Sequence, residues 1–188
     1  DDGVYTKLSS GNYHNCALTS AGRIECWGAG DTGITYLDYG QVGNAPTGSG
    51  FKDIDSGFYH SCALTSTGTI SCWGAGDGSS SSYNYSQVSD APGGSGYTAV
   101  YASEYSSCAL NDARDLICWG RDYLGKLTQA PSNLATDTTL AFGSYHGCTK
   151  TGAGSITCWG SDSYGQVSDA PTGTGYSKLV SGDNHSCA

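Results

Sequence analysis

Cys62-Ala63-Leu64-Thr65-Ser66-Thr67-Gly68-Thr69-Ile70-Ser71-Cys72-Trp73-Gly74 decides the fold. Nearly the same words recur at residues 16–28, 108–120 and 148–160, and a fifth copy opens at His185-Ser186-Cys187-Ala188. Between the two cysteines of each copy, apolar and polar residues alternate, pass through a small-residue turn, and alternate again. That is the pattern of a β-hairpin. Ser20-Ala21-Gly22, Ser66-Thr67-Gly68 and Gly152-Ala153-Gly154 fit a three-residue loop whose last position is left-handed, which glycine takes without a Cβ clash. The third copy has Arg114 there, so its turn is expected to be strained or differently built.

A loop of this length sets Cys62 opposite Cys72 and Leu64 opposite Ile70, all four on one face. Ala63, Ser71 and Trp73 point the other way, and His60 faces Gly74, which leaves room for the imidazole. Both faces carry apolar groups, so both are expected to be covered, as in a blade held between neighbours. Facing cysteines on antiparallel strands lie within reach of a disulfide. The pairs are Cys16–Cys26, Cys62–Cys72, Cys108–Cys118 and Cys148–Cys158; Cys187 has no partner in this segment. The alternative is four pairs of reduced core thiols. Spacing of ten disfavours zinc, and no metal or other cofactor is expected.

Composition agrees with a turn-rich, all-β chain: 188 residues with 29 glycines, 14 tyrosines and no methionine. No apolar run reaches the ~18 residues of a membrane span. A chain opening at Asp1 without methionine reads as a mature or excised segment. Paired cysteines imply an oxidising compartment, extracellular or cell-surface. Net charge is −9, and the 8 basic residues are scattered, which disfavours nucleic acid and anionic membranes as partners.

The first cysteines stand at 16, 62, 108, 148 and 187, steps of 46, 46, 40 and 39. A period of this size means a solenoid, a propeller or an array. The repeats run 1–50, 51–96, 97–137 and 138–175, with a truncated fifth at 176–188. Each opens with a short strand such as Phe51-Lys52-Asp53-Ile54 or Tyr176-Ser177-Lys178-Leu179. After Trp-Gly the chain turns through Asp31, Asp77, Asp122 or Asp162, whose side chains are expected to bond nearby backbone N–H groups. It then enters a Gly-Gln-Val type segment and ends on Ala-Pro, at Pro46, Pro92, Pro131 and Pro171. The first two repeats carry inserts between Trp-Gly and Gln. They contain Tyr36 and Tyr39, then Ser79, Ser80, Ser81, Ser82, Tyr83 and Tyr85. Inserts in repeat proteins map to loops on one face, often the binding face, so these tyrosines are candidate binding residues.

Gly57-Phe58-Tyr59-His60-Ser61-Cys62-Ala63-Leu64-Thr65, Cys158-Trp159-Gly160 and Tyr164-Gly165-Gln166-Val167 resemble the regulator of chromosome condensation repeat. The resemblance spans essentially the whole chain, and the Ala-Pro after Gly-Gln is similar to secreted bacterial members. It implies tandem four-stranded propeller blades, as part of a β-propeller or of an open blade array. The nuclear activity of that family is not carried over, because acidic charge disfavours chromatin and disulfides disfavour the nucleus.

His14, His60, His146 and His185 share one repeat position, as do the four tryptophans. Residues stamped into every copy are expected to be structural. No nucleophile with its base and no acid pair stands outside the pattern, so no catalytic residue is expected. Asn84 and Asn184 head glycosylation sequons, and Ser79 to Ser82 could carry O-linked sugar, though chance matches are common. Two functions remain. The preferred one is a non-catalytic extracellular scaffold, structural or adhesive, with a filament-forming subunit as one version of it. The alternative is a binding module, a lectin or protein inhibitor. The partner is another protein, a second copy or a glycan.

Overall fold

The computed structural model describes residues 3–30, 37–78 and 83–188. They are all-β. Tyr5–Ser10 (β1), His14–Thr19 (β2) and Ile24–Gly28 (β3) make the first antiparallel sheet. Phe51–Ser56 (β4), His60–Thr65 (β5) and Ile70–Gly74 (β6) make the second, and Tyr97–Ala102 (β7), Ser106–Asn111 (β8) and Leu116–Gly120 (β9) the third. Thr139–Phe142 (β10), His146–Lys150 (β11) and Ile156–Gly160 (β12) follow, then Val180–Ser181 (β13) with Ser186–Cys187 (β14). The chain forms two compact units, Asp1–Asp112 with Trp119–Arg121, and Ala113–Cys118 with Asp122–Ala188.

The hairpin register is the one the spacing dictates. In the second sheet His60, Cys62 and Leu64 face Gly74, Cys72 and Ile70. The first and fourth hairpins repeat it, with Cys16 opposite Cys26 and Cys148 opposite Cys158. Gly22, Gly68 and Gly154 close the turns at φ of 72°, 82° and 81°. Arg114 takes the same conformation at φ 67°, which costs a side-chain residue about 1 kcal/mol or more. Its guanidinium donates to the carbonyl oxygens of Ala135 (2.8 Å) and Thr138 (3.3 Å), so the strained position also ties the turn to the chain that follows.

Disulfides join Cys16 to Cys26, Cys62 to Cys72 and Cys148 to Cys158, with Cα separations of 4.1, 4.1 and 4.0 Å. Cys108 and Cys118 are also disulfide-bonded, and Cys187 is free and exposed. The short Cα distances belong to the non-hydrogen-bonded kind of antiparallel pair, in which side chains come closest.

Both faces of the second blade are covered within the first unit. Ala63 and Trp73 pack with Cys16, Leu18 and Ile54, joined by Ile24, Cys26 and Ala45. Cys62 and Leu64, with Ile70 and Cys72, pack with Tyr97, Val100, Ala109 and Trp119. Each hairpin thus presents sulfur and aliphatic groups forward and an indole backward.

Three expectations need correction. Among the described residues the sheet of each complete repeat has three strands, not four. The Gly-Gln-Val segment is a tight turn: Asn44 N–H donates to Gly40 O, and Asp90 N–H to Ser86 O, four residues back in each case. That turn curls the chain around a buried glutamine, so its backbone is not free to extend a sheet. Next, the His60 ring does not lie over Gly74. A Cβ on Gly57 would stand 2.7 Å from the ring, so Gly57 makes the room, whereas Gly74 lets the backbone of Tyr59 approach. Last, the fifth opening strand is not Tyr176-Ser177-Lys178-Leu179, which form no strand, but Val180–Ser181, paired with Cys187 and Ser186.

Candidate binding surface

The histidines are staples between successive blades. His14 Nε2 lies 2.7 Å from Ser61 Oγ, His60 Nε2 2.8 Å from Ser107 Oγ, and His146 Nε2 2.8 Å from Ser186 Oγ. Burial holds the pKa of His14 down at about 4. His146 is also held at about 4, by burial first and then by the nearby charges of Lys126 and His185. Such rings are neutral at pH 7 and work as hydrogen-bond pegs. In each case the ring's Nε2 is occupied by this contact with the serine of the following blade.

The glutamine of each Gly-Gln-Val segment is the second fastener. Gln41 is fully buried; its Oε1 accepts from Tyr39 N–H and its Nε2 donates to Leu37 O, both at 2.7 Å. Gln87 does the same with Tyr85 N–H and Tyr83 O. Their backbone carbonyls accept the indole N–H of Trp73 (2.9 Å) and Trp119 (2.8 Å). These latches place the insert tyrosines. The aspartates act as expected where they are described in detail: Asp162 Oδ1 accepts from the N–H groups of Val167 and Ser168, and Asp122 Oδ1 from Leu127 N–H. Those donors hold the Asp162 carboxyl below its ordinary pKa.

At the inner strands of the first unit, Asp55 binds across three blades. It accepts from Ser9 Oγ at 2.9 Å and Ala102 N–H at 2.8 Å. Asp53 pairs with Lys7 and accepts from Val100 N–H. Burial pushes the Asp55 carboxyl up against these donors, so it too is a fastener.

On the first unit these latches assemble an aromatic face. Tyr13 stacks on Tyr59 at 5.3 Å between ring centroids, Tyr59 meets Tyr83 at 4.6 Å, and Tyr83 lies parallel to Tyr105 at 5.9 Å. Tyr39 stands edge-on to Tyr59 and Tyr83, at 5.2 and 5.7 Å. Phe58 packs beside Tyr13, Tyr59 and Tyr105. Tyr85 meets Tyr105 at 5.1 Å, and the Arg121 guanidinium carbon lies 4.8 Å over the Tyr85 ring. Tyr59 is buried at the centre, Tyr13 is exposed, and the others are half-buried. Burial first, then contact with Tyr13 and Tyr83, raises the Tyr59 phenol. The Tyr39 phenol is raised by burial and by Tyr83. Neutral rings with hydroxyl tips, braced by one another, offer contact area with little entropy left to lose.

Of the residues named from sequence, Tyr39, Tyr83 and Tyr85 come together here. Tyr36, Asp31 and Ser79 to Ser82 lie outside the described residues. Asn84 is half-buried with Oδ1 accepting from Ser86 N–H, and Asn184 is exposed. Tyr13, Phe58, Tyr59, Tyr105 and Arg121 went unrecognised. The tyrosines precede the repeat histidine or its serine replacement, inside the repeat pattern and outside the inserts. The second unit carries a smaller counterpart, where Tyr123 and Tyr145 stand 4.9 Å apart beside a pocket of about 190 Å³ that Tyr164 and Asn184 also line. Among the described residues no three His, Cys, Asp or Glu side chains gather as a metal site would need, and no helix is long and apolar enough to cross a membrane.

The regulator of chromosome condensation (RCC1) repeat model matches residues 5–34 and 51–80. The ectodomain of the Physcomitrella patens receptor kinase CR4 is similar over 95% of this chain and 45% of that one, at 30% identity and a TM-score of 0.66. The CRINKLY WD40 ectodomain of the Arabidopsis thaliana receptor kinase ACR4 is similar over 95% and 58%, at 24% identity and 0.68. Prp20p of Saccharomyces cerevisiae, described with its binding to Gsp1p and histones, is similar over 97% and 55%, at 16% identity and 0.69. The chain spans about half the length of these proteins. No curated protein matches it. Residues 5–34 and 51–80 are thus matched as regulator of chromosome condensation repeats, and the all-β fold of the chain is similar to that of proteins built from such propeller blades.

Proposed function

We propose that the chain is a non-catalytic, extracellular binding module that uses the tyrosine face of its first unit to hold another protein or a glycan. The observation that carries this reading is the aromatic face itself, seven packed rings and one guanidinium spread over three blades. A disulfide in each complete repeat supports the extracellular setting, as does likeness to a receptor ectodomain at 30% identity. The repeat-locked histidines, aspartates and glutamines are occupied as fasteners, which supports a role without chemistry.

The test compares the wild-type chain with a Tyr39→Ser/Tyr83→Ser/Tyr85→Ser variant against arrays of extracellular glycans and secreted proteins. The reading expects ligands lost by the variant while its melting curve stays cooperative. An identical ligand profile for both chains removes it.

A second reading, a structural or adhesive scaffold, is supported by one observation: the same clasped hairpin recurs along the chain, with both faces of the second blade packed on its neighbours. Sedimentation of the chain over a range of concentrations separates the two: a persistent monomer favours the binding module.

A further inference from the structure

The pocket of about 190 Å³ on the second unit is lined by Tyr123, Tyr145, Ser161, Ser163, Tyr164 and Asn184. Its origin lies in one register position. Tyr13, Tyr59, Tyr105 and Tyr145 stand immediately before the repeat histidine or Ser106, and Asn184 takes that place before His185. In the first unit this position brings a ring against the next. Tyr59 lies 6.3 Å from Tyr105, and Tyr105 meets Tyr85 at 5.1 Å. Tyr145 and Tyr164 are the register counterparts of Tyr59 and Tyr85. A tyrosine at 184 would close the space between them, and asparagine is too short to do so. The short fourth repeat also lacks the insert that sets Tyr83 against Tyr59 at 4.6 Å in the first unit. The segments that carry Tyr39, Tyr85 and Tyr105 there have their counterparts here in those of Tyr123, Tyr164 and Asn184. The pocket thus has its walls, and what holds it open is one substitution and one short loop.

The lining has a single chemical character. Each of its side chains carries a hydroxyl or a carboxamide, and none is aliphatic or charged. Tyr123 and Tyr145 stand 4.9 Å apart with their planes at 53°, and Tyr164 is 76% exposed. Ser161 is buried; its N–H donates to Tyr145 O, and its Oγ donates to Ser163 Oγ at 3.3 Å. Asn184 is exposed, and its amide makes no hydrogen bond among the described residues. A charged ligand would find no counter-charge in this lining. An apolar side chain would cover the hydroxyls and leave them without water or partner. A pyranose meets both demands. Its C–H face lies on the electron-rich face of an aromatic ring, and its hydroxyls exchange hydrogen bonds with serine, phenol and amide groups. The volume falls below the ~300 Å³ at which drug-sized sites begin, and suits one sugar ring.

We propose that this pocket is a subsite for one neutral pyranose, a single residue of a glycan. The ring rests on tyrosine, and its hydroxyls bond the serines and the Asn184 amide. The site lies in the second unit and shares no residue with the tyrosine face, so it stands or falls separately from it.

The probes are methyl β-D-glucopyranoside, methyl β-D-galactopyranoside and methyl α-D-mannopyranoside, followed by saturation-transfer NMR and titration into the full chain. The expected result is saturable binding of at least one of them with a Kd on the order of 1 mM, the level that roughly a dozen heavy atoms supply. Asn184→Tyr, which fills the pocket, weakens that binding at least tenfold. Tyr164→Ala, at an exposed position, does likewise while the melting curve stays cooperative. The Tyr39→Ser/Tyr83→Ser/Tyr85→Ser variant binds the sugar as the wild type does. No binding of any of the three glycosides, or equal binding by the Asn184→Tyr and Tyr164→Ala variants, overturns the proposal. Loss of the sugar in the triple variant moves it to the tyrosine face and overturns it too. Tighter binding of methyl β-D-glucuronide or of acetyl-phenylalanine amide makes the occupant an anion or an aromatic side chain, with the same consequence.

Discussion

The first and second blades share a hairpin but not a fate. Cys16–Cys26 and Cys62–Cys72 close loops of the same separation with the same Cα distance, 4.1 Å. Yet Trp27 is 49% exposed and Trp73 4%, while Leu8 is 63% exposed and its equivalent Ile54 fully buried. Within residues 1–188 the second blade lays Ile54 and Trp73 against Cys16, Leu18 and Ile24 of the first. Local code writes the hairpin, and the junction supplies most of its stability, as nearest-neighbour terms do in repeat proteins.

Tryptophan replacement gives the widest separation. Trp73→Ala is expected to cost about 3–5 kcal/mol, and Trp27→Ala less than about 1 kcal/mol, in denaturant melts. Equal losses would break the comparison. Disulfide removal sharpens it from the other side, since loop closure is local. Cys16→Ser/Cys26→Ser and Cys62→Ser/Cys72→Ser should each cost about 3 kcal/mol, alike within error.

Acid acts on the junctions next. His14 is held at about 4 in the folded chain against about 6.5 unfolded. The unfolded state therefore binds more protons below pH 6.5, and stability falls as pH drops from 6.5 towards 4. The loss is on the order of 2 kcal/mol for His14, read from melts at pH 7, 6, 5 and 4. A His14→Gln variant should show a flatter dependence, and an unchanged slope would discharge His14 from that role. The smallest effect is at Ser61, which faces His14 across the junction. Ser61→Ala is expected to cost about 1–2 kcal/mol, and Asn15→Ala, its counterpart in the first blade, close to nothing.

The hairpin, its register and the two covered faces of a blade were legible because period-two alternation and a glycine turn are local signals. So was the role of Asp122 and Asp162, which bond residues five or six positions away. The turn around Gln41 was not. A Gly-Gln-Val segment alternates like a strand, and only the tertiary structure reveals that Gln41 is buried and latched to Leu37 and Tyr39. The aromatic face was half legible. Tyr39, Tyr83 and Tyr85 stood out as insert residues. Tyr13, Tyr59 and Tyr105 lay hidden within the repeat, and the approach of Arg121 to Tyr85 spans 36 positions with no periodic mark. Partners that distant in sequence are chosen by packing, which no window of the chain records.

Native-state hydrogen exchange of the amides in β2–β3 and β5–β6 tests the junction claim most directly. If neighbours supply the stability, the β5–β6 amides exchange about a hundredfold or more slowly than their first-blade equivalents, matching the few kcal/mol lost with the indole. Equal protection in the two hairpins would contradict the account and make each clasped hairpin stable on its own.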